Sequence, residues 1–255
     1  MLLAIDAGNT DVVWGLYAGG EWMHVWRTPS TASFEPEYFL SRLRARLQAA
    51  GLSPRHIQAS VLSSVVPRLT PVLLEVNRQL TGRNALLVGP ETYKKLSLAI
   101  DNPNEIGTDL VANAVAAWHR FGQACVVVDF GTALTFTSLV PPGTILGVAI
   151  APGLKTAMKA LFSNTAQLVE VPLELPESVV GKNTVHAIQA GILWGYVGLV
   201  KELLQRSCQE LGNDCKVVAT GGLSAVLHPL HTYFDVVDPR LTLEGLRLIY
   251  EQHEQ

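Results

Sequence analysis

"LLAIDAGNTDVVWGLYAGGEW", residues 2–22, returns in altered form as "ACVVVDFGTALTFTSLVPPGTILGVAIAPG", residues 124–153. Each copy starts with an apolar strand that ends in an aspartate, Asp6 or Asp129, and then passes through a small turn containing Gly and Thr. A second strand follows, and a glycine-containing turn leads into a third. Two such β-meanders about half a chain apart are the mark of an internal repeat. They predict an α/β protein of two similar lobes facing each other, with one Asp-Gly-Thr turn from each lobe meeting in a cleft.

Working outward, "WMHVWRT" (22–28) completes the first meander, and "EPEYFLSRLRARLQAAG" (35–51) has the apolar spacing of a helix with a glycine stop. The strand "IQASVLSSV" (57–65), a helix opened by Pro67, the short strand "ALLVG" (85–89) and a helical stretch over 103–121 follow. Beyond the second meander the pattern predicts a helix with a broken end over 153–168 and a proline-marked loop over 171–183. The longest helix is expected over 184–212. The strand "KVVAT", a Gly-Gly turn, a short helix, "YFDVVD" and the amphipathic helix "LTLEGLRLIYEQ" then close the chain. The expected division is residues 1–120, joined by the C-terminal helix 241–253, and residues 121–240.

At 255 residues and 48% hydrophobic content, the chain can bury a sizeable core. Its 19 Lys and Arg against 22 Asp and Glu, with no basic cluster, argue against a nucleic-acid partner. Cys125, Cys208 and Cys215 are odd in number and lack CxxC spacing, which fits reduced thiols rather than a structural disulfide. "MLLAIDAGNT" carries no targeting pattern, and no apolar run approaches the roughly 20 residues of a membrane span. A cytoplasmic protein without membrane contact is expected.

Three places carry chemistry. In Asp6-Ala7-Gly8-Asn9-Thr10, a carboxylate at a strand end and a glycine turn with free N–H groups suit a phosphate and its Mg²⁺, although a capped hairpin turn has the same composition. Asp129, Gly131, Thr132 and Thr135 repeat the arrangement, with Asp129 and Thr132 offering hard oxygen ligands. "NEIGTDLVANAVAA" (104–117) sets Asp109 at the head of a helix. An acid there complements the helix dipole, but Thr108 is the better N-cap, which leaves Asp109 available to take the proton of an alcohol attacking a γ-phosphate. Gly191, Gly195 and Gly198 share one helix face, for which a homodimer contact is favoured over an intrachain neighbour. "ATGGLS" (219–224) is a weaker nucleotide signal, and "HPLH" (228–231) reads as surface loop rather than metal site.

"DAGNT", "SSVVP" (63–67), "NPNEIGTD", "DFGTALT", "GVAIAPG", "GKNTVHAIQAG", "ATGG" and "DPRLTLEGL" follow in order, and at matching spacing, the motifs of type III pantothenate kinases. The chain resembles that family over nearly its whole length. The resemblance implies two duplicated ribonuclease H-like lobes with a nucleotide cleft between them, the actin-like ATPase fold of the acetate and sugar kinases. It also implies transfer of the ATP γ-phosphate to the terminal hydroxyl of pantothenate, opening coenzyme A synthesis, with Mg²⁺ and a monovalent cation, K⁺ or NH₄⁺. By the same resemblance Asp6, Ala7, Gly8, Asn9, Thr10, Asp11, Val12 and Val13 form the ATP-phosphate loop, and Thr132 is a second ATP contact. Asp129 is the monovalent-cation ligand and Asp109 the catalytic base. Ile100, Gly107, Thr108, Asp109, Leu110 and Thr184 are the positions of pantothenate contacts, in a homodimer whose pantothenate site borrows from the partner.

Two positions depart from the family pattern. Gly107-Thr108-Asp109-Leu110 stands where the family usually reads Gly-Ala-Asp-Arg, and Ile100 stands where it usually has tyrosine. Losing the arginine removes a charge-assisted hydrogen bond of about 1.5–3 kcal/mol. An altered pantothenate pocket is therefore expected. Two other readings stay open on these residues: a kinase of the same fold acting on another small hydroxylated molecule, and a nucleotide-binding regulatory protein of weak catalysis.

Overall fold

Short apolar runs that are buried almost throughout form the central strands of two sheets, and the first meander's outer strand alternates between exposed and half-buried residues. The computed structural model describes residues 1–92, 97–163, 171–212, 214–222 and 227–254. In chain order the strands are β1 (Leu2–Ala7), β2 (Asp11–Ala18), β3 (Glu21–Pro29), β4 (Ala59–Ser64), β5 (Leu86–Leu87), β6 (Ser97–Leu98), β7 (Cys125–Phe130), β8 (Ala133–Val140), β9 (Thr144–Pro152), β10 (Lys216–Thr220) and β11 (Val236–Val237). The helices are α1 (Pro36–Ala49), α2 (Thr70–Thr81), α3 (Thr108–Phe121), α4 (Leu154–Ser163), α5 (Thr184–Gln189), α6 (Gly195–Glu210) and α7 (Leu241–His253). The short helix expected after Gly222 and the end of the helix expected to reach 168 lie outside the described residues.

The chain divides into two units. The first comprises Met1–Leu96, Asp101–Ala116 and Leu241–Gln255. Its sheet has the order β3-β2-β1-β4-β5, with β1 antiparallel to β2 and parallel to β4. Leu3, Ile5, Trp14 and Leu62 point to the face covered by α1 and α2, where they meet Phe39, Leu43, Leu47, Leu73 and Val76. On this chain α7 packs against β1 and β4. Pro67 does not open α2: it lies in a turn, and the helix starts at Thr70 with Pro71 in its first turn, where a missing N–H costs no hydrogen bond.

The second unit, Ser97–Ile100 and Ala117–Arg240, has the sheet order β11-β10-β7-β8-β9-β6. Apart from β6, this is the order of the first sheet over again, β7 to β11 standing for β1 to β5. The repeat visible in the sequence is thus a repeat of topology. Val126, Val128, Leu134 and Phe136 pack with Leu193, Val197, Val200 and Leu204 of the long helix.

That helix runs from Thr184 to Glu210, with a π-turn over Ala190–Trp194 joining α5 to α6. Contrary to expectation, it is long and apolar enough to cross a membrane by length and composition. Core helices meet the same test, and this one contributes Leu193, Tyr196, Val197, Val200 and Leu204 to the buried core.

The expectation of reduced thiols also fails at two positions. Cys208, near the end of α6, is joined to Cys215, because the chain turns at Gly212 (φ +101°) and returns with the Cα atoms 5.6 Å apart, within disulfide range. Cys125 is free and fully buried in β7, and burial pushes its thiol pKa up to about 12. "HPLH" forms a 3-10 turn that buries Leu230.

Candidate active site

The first unit gathers one group of the expected residues. Asp6 lies near the end of β1, paired in register with Val13 of β2 and Ser63 of β4. The chain then turns through Gly8, whose N–H donates to the Asp11 carbonyl (3.0 Å), leaving Asn9 and Thr10 exposed. Ala7, Val12 and Val13 are buried, so what this loop offers a ligand is its backbone and the polar side chains of Asn9 and Thr10. Asp11 faces Arg27 at 4.0 Å, an exposed pair of little energetic weight.

Ser63 ties this strand end to the head of α3. It is fully buried, and its hydroxyl lies 2.8 Å from the Thr108 hydroxyl. Thr108 is therefore not the N-cap that its residue type predicts: it is the first residue of α3, and its side chain is engaged by β4. Asp109 follows, half-buried, with one carboxylate oxygen accepting the Leu110 N–H at 2.8 Å. Gly107 makes room for it, since a Cβ there would collide with that oxygen. Burial raises the Asp109 pKa, and hydrogen bonds from the Leu110 and Asp109 amides pull it part of the way back. The outcome is a carboxylate with more than ordinary appetite for a proton, one residue from a hydroxyl anchored beside Asp6. Leu110 is half-buried next to it.

The second unit gathers another group. Asp129 pairs in register with Thr135 of β8 and Thr220 of β10. Gly221 (φ +89°) follows Thr220, and a Cβ there would stand 2.7 Å from the Asp129 carboxylate and 2.6 Å from the Phe130 carbonyl. The absence of a side chain thus lets the Gly221 backbone pass close to the Asp129 carboxylate. Thr132 is exposed, and its carbonyl is fixed by the Gly153 N–H (3.0 Å) and the Thr156 hydroxyl (2.7 Å). Thr135 is buried, its hydroxyl without a hydrogen-bond partner among the described residues. Ile100 follows β6, which is held on β9 by the Ala99 N–H to the Ile145 carbonyl (2.9 Å). Thr184 is exposed at the start of α5, where Asn183 caps the helix through the His186 N–H (2.9 Å).

Asp6, the 8–10 turn and 107–110 are thus assembled in one unit, and Asp129 with Thr132 in the other. Ile100 and Thr184 stand apart from Asp129 in chain and element. Ser63 was not among the expected site residues, although a serine pair ending an apolar strand needs partners and is a visible signal.

The model of the family described as type III pantothenate kinase matches residues 2–206. A protein of Moorella thermoacetica named type III pantothenate kinase is 43% identical over 253 residues, covering 99% of this chain and 100% of that protein. Among solved structures, a conserved putative Baf family transcriptional activator from Campylobacter jejuni superposes with a TM-score of 0.61 at 18% identity, over 99% of this chain and 98% of the other. A putative 2-dehydro-3-deoxygalactonokinase from Sinorhizobium meliloti gives 0.60 at 13% identity, over 99% and 96%. At these identities the structures speak for the shared fold alone, the actin-like ATPase fold of two duplicated α/β lobes.

Proposed function

This chain belongs to the type III pantothenate kinase family, and from that premise we propose how its residues divide the work. The protein is a kinase that uses ATP and a divalent metal to phosphorylate pantothenate, the entry to coenzyme A synthesis. Asp109 is the general base that takes the proton of the terminal hydroxyl as it attacks the γ-phosphate. The observation that carries this assignment is its half-buried carboxylate of raised pKa, tethered through Thr108 and Ser63 to the strand of Asp6.

The loop from Asp6 to Val13 takes the ATP phosphates through backbone N–H groups, and Thr132 adds a second ATP contact. Mg²⁺ supplies charge neutralisation at the phosphates, and the Asp6 carboxylate at the strand end is a donor of the right hardness for it. Asp129 would hold the monovalent cation, K⁺ or NH₄⁺, through its carboxylate, which the Gly221 backbone approaches closely. Ile100, Gly107, Thr108, Leu110 and Thr184 contact pantothenate. The working lobes are taken as residues 1–120 with 241–253, and residues 121–240, although Ser97–Ile100 and the residues from Ala117 group with the second unit, and the protein acts in the cytoplasm. The test is ATP-dependent formation of phosphopantothenate with Mg²⁺, assayed with and without K⁺. Because Leu110 and Ile100 make the acceptor side less polar, the same assay on a panel of small alcohols tests a second reading, in which another acceptor is turned over faster.

The pH profile follows from the direction of the Asp109 shift. A protonated Asp109 cannot accept the substrate proton, so kcat/KM for pantothenate falls as pH drops through its pKa. Because burial raises that pKa, the inflection is expected above the ordinary carboxylate range. A flat acid limb down to pH 4 would contradict the assignment.

A homodimer is the proposed assembly. Gly191, Gly195 and Gly198 are exposed on one face, and a Cβ added at any of them meets nothing within 4 Å. Such a smooth strip admits close approach of a second helix. Gly195→Leu is expected to shift sedimentation from dimer to monomer and, because the proposed pantothenate site borrows from the partner, to raise the KM for pantothenate. A dimer unaffected by the substitution would place the contact elsewhere.

A further inference from the structure

Ser30, which follows β3, is 2% exposed and belongs to none of the site positions above. Its hydroxyl donates to the Gly8 carbonyl at 2.6 Å, and its backbone N–H donates to the Thr10 carbonyl at 2.9 Å. One residue thus grips two carbonyls of the 8–10 turn. Ser30 is itself steadied from behind, because Arg46 of α1 donates to the Thr28 hydroxyl (2.8 Å) and to the Arg27 carbonyl (2.6 Å).

The consequence lies in the geometry of the peptide unit. A trans peptide is planar, with its C=O and N–H pointing in opposite directions. With the Gly8 carbonyl drawn onto the buried Ser30 hydroxyl, the Asn9 N–H must point the other way, on the exposed side of the turn. Gly8 has no Cβ to resist rotation of that peptide. If it rotated, a carbonyl oxygen would face an incoming phosphate in place of an N–H donor.

We propose that Ser30 is a positioning residue of the nucleotide turn: its hydroxyl locks the Gly8–Asn9 peptide so that the Asn9 N–H is presented to a phosphate oxygen of ATP. This rests on the reading of residues 6–13 as the phosphate loop. Ser30 touches no reacting atom and acts through the peptide it holds.

The experiment compares wild type, Ser30→Ala and Ser30→Thr by steady-state kinetics, thermal melting, and hydrogen exchange of the peptide spanning residues 6–13 with and without ATP. In Ser30→Ala the KM for ATP is expected to rise roughly three- to tenfold, the weight of a single neutral hydrogen bond. The KM for pantothenate and kcat at saturating ATP should stay within about twofold, and Ser30→Thr, which keeps the hydroxyl, should restore the KM for ATP. An unchanged KM for ATP in Ser30→Ala overturns the proposal. So does an equal rise in both KM values accompanied by a lower melting temperature, since that is what a merely structural role produces. If ATP fails to protect residues 6–13 in the wild type, the phosphate-loop reading itself falls; protection in the wild type with unaltered kinetics in Ser30→Ala removes Ser30 alone.

Discussion

Asp109→Asn is expected to lower kcat for pantothenate phosphorylation by about 10²- to 10⁴-fold, the range that a positioned general base contributes. The KM for ATP should change little. The substitution is close to isosteric, and the asparagine side-chain oxygen can still accept the Leu110 N–H that Asp109 holds at 2.8 Å. The anchor between Thr108 and Ser63 is untouched. Since burial disfavours the charged form of Asp109, a neutral amide should leave thermal stability unchanged or slightly higher. Loss of turnover without loss of fold separates a base from a helix-starting acid, because removing a favourable dipole charge would cost about 0.3–1 kcal/mol of stability and no chemistry. The variant should also lose the acid limb of the pH profile. Undiminished turnover would return Asp109 to the role of helix starter.

The same residues explain what could be read in the sequence. Short continuous apolar runs and glycine turns are local features, so both meanders and their duplication are visible in "LLAIDAGNT" and "VVVDFGTAL", and the sheet orders match as the repeat predicts. What escaped depends on partners distant in the chain. Thr108 has the chemistry of a cap, but Ser63, 45 residues earlier, takes its hydroxyl; only the parallel register of β1 and β4 brings that serine beside Asp6. Cys208 meets Cys215 because of the turn at Gly212, which no cysteine spacing rule contains. Pro67 and Pro71 are equally good helix openers by type, and Pro71 takes the role because residues 67–69 form a turn closed by the Leu69 N–H on the Val66 carbonyl (2.9 Å). The long helix shows the limit of composition: core and bilayer are both apolar, and only the contacts of Val197, Val200 and Leu204 show which of its residues line a core.

Gly245→Ala is expected to be the most damaging small substitution in the chain. In a solvent-exposed helix the change from Gly to Ala stabilises by about 1 kcal/mol, because alanine restricts the unfolded chain and favours helical geometry. Gly245 is buried in α7 at its crossing with α3, and a Cβ there would overlap the Ala112 carbonyl oxygen and approach the Ala112 Cα within 2.8 Å. The obstacle is backbone, not the movable end of a side chain, so the two helices must separate. Overpacking of this kind costs about 1–3 kcal/mol and sometimes more. Separation also stretches the 2.8 Å hydrogen bond from the Thr242 hydroxyl to the side chain of Asn113, a fully buried residue, and weakening a buried polar contact adds about 1–3 kcal/mol. These costs exceed the propensity gain, leaving a net destabilisation of about 1–5 kcal/mol, to be read from the urea midpoint at constant m value. The effect should extend to catalysis: Asp109 lies one helical turn before Asn113, so a shift of α3 displaces the proposed base, and kcat should fall even under conditions where the variant remains folded. A urea midpoint equal to or above that of the wild type would mean that α7 does not brace α3 in solution, and the mechanical link from the C-terminal helix to Asp109 would be lost.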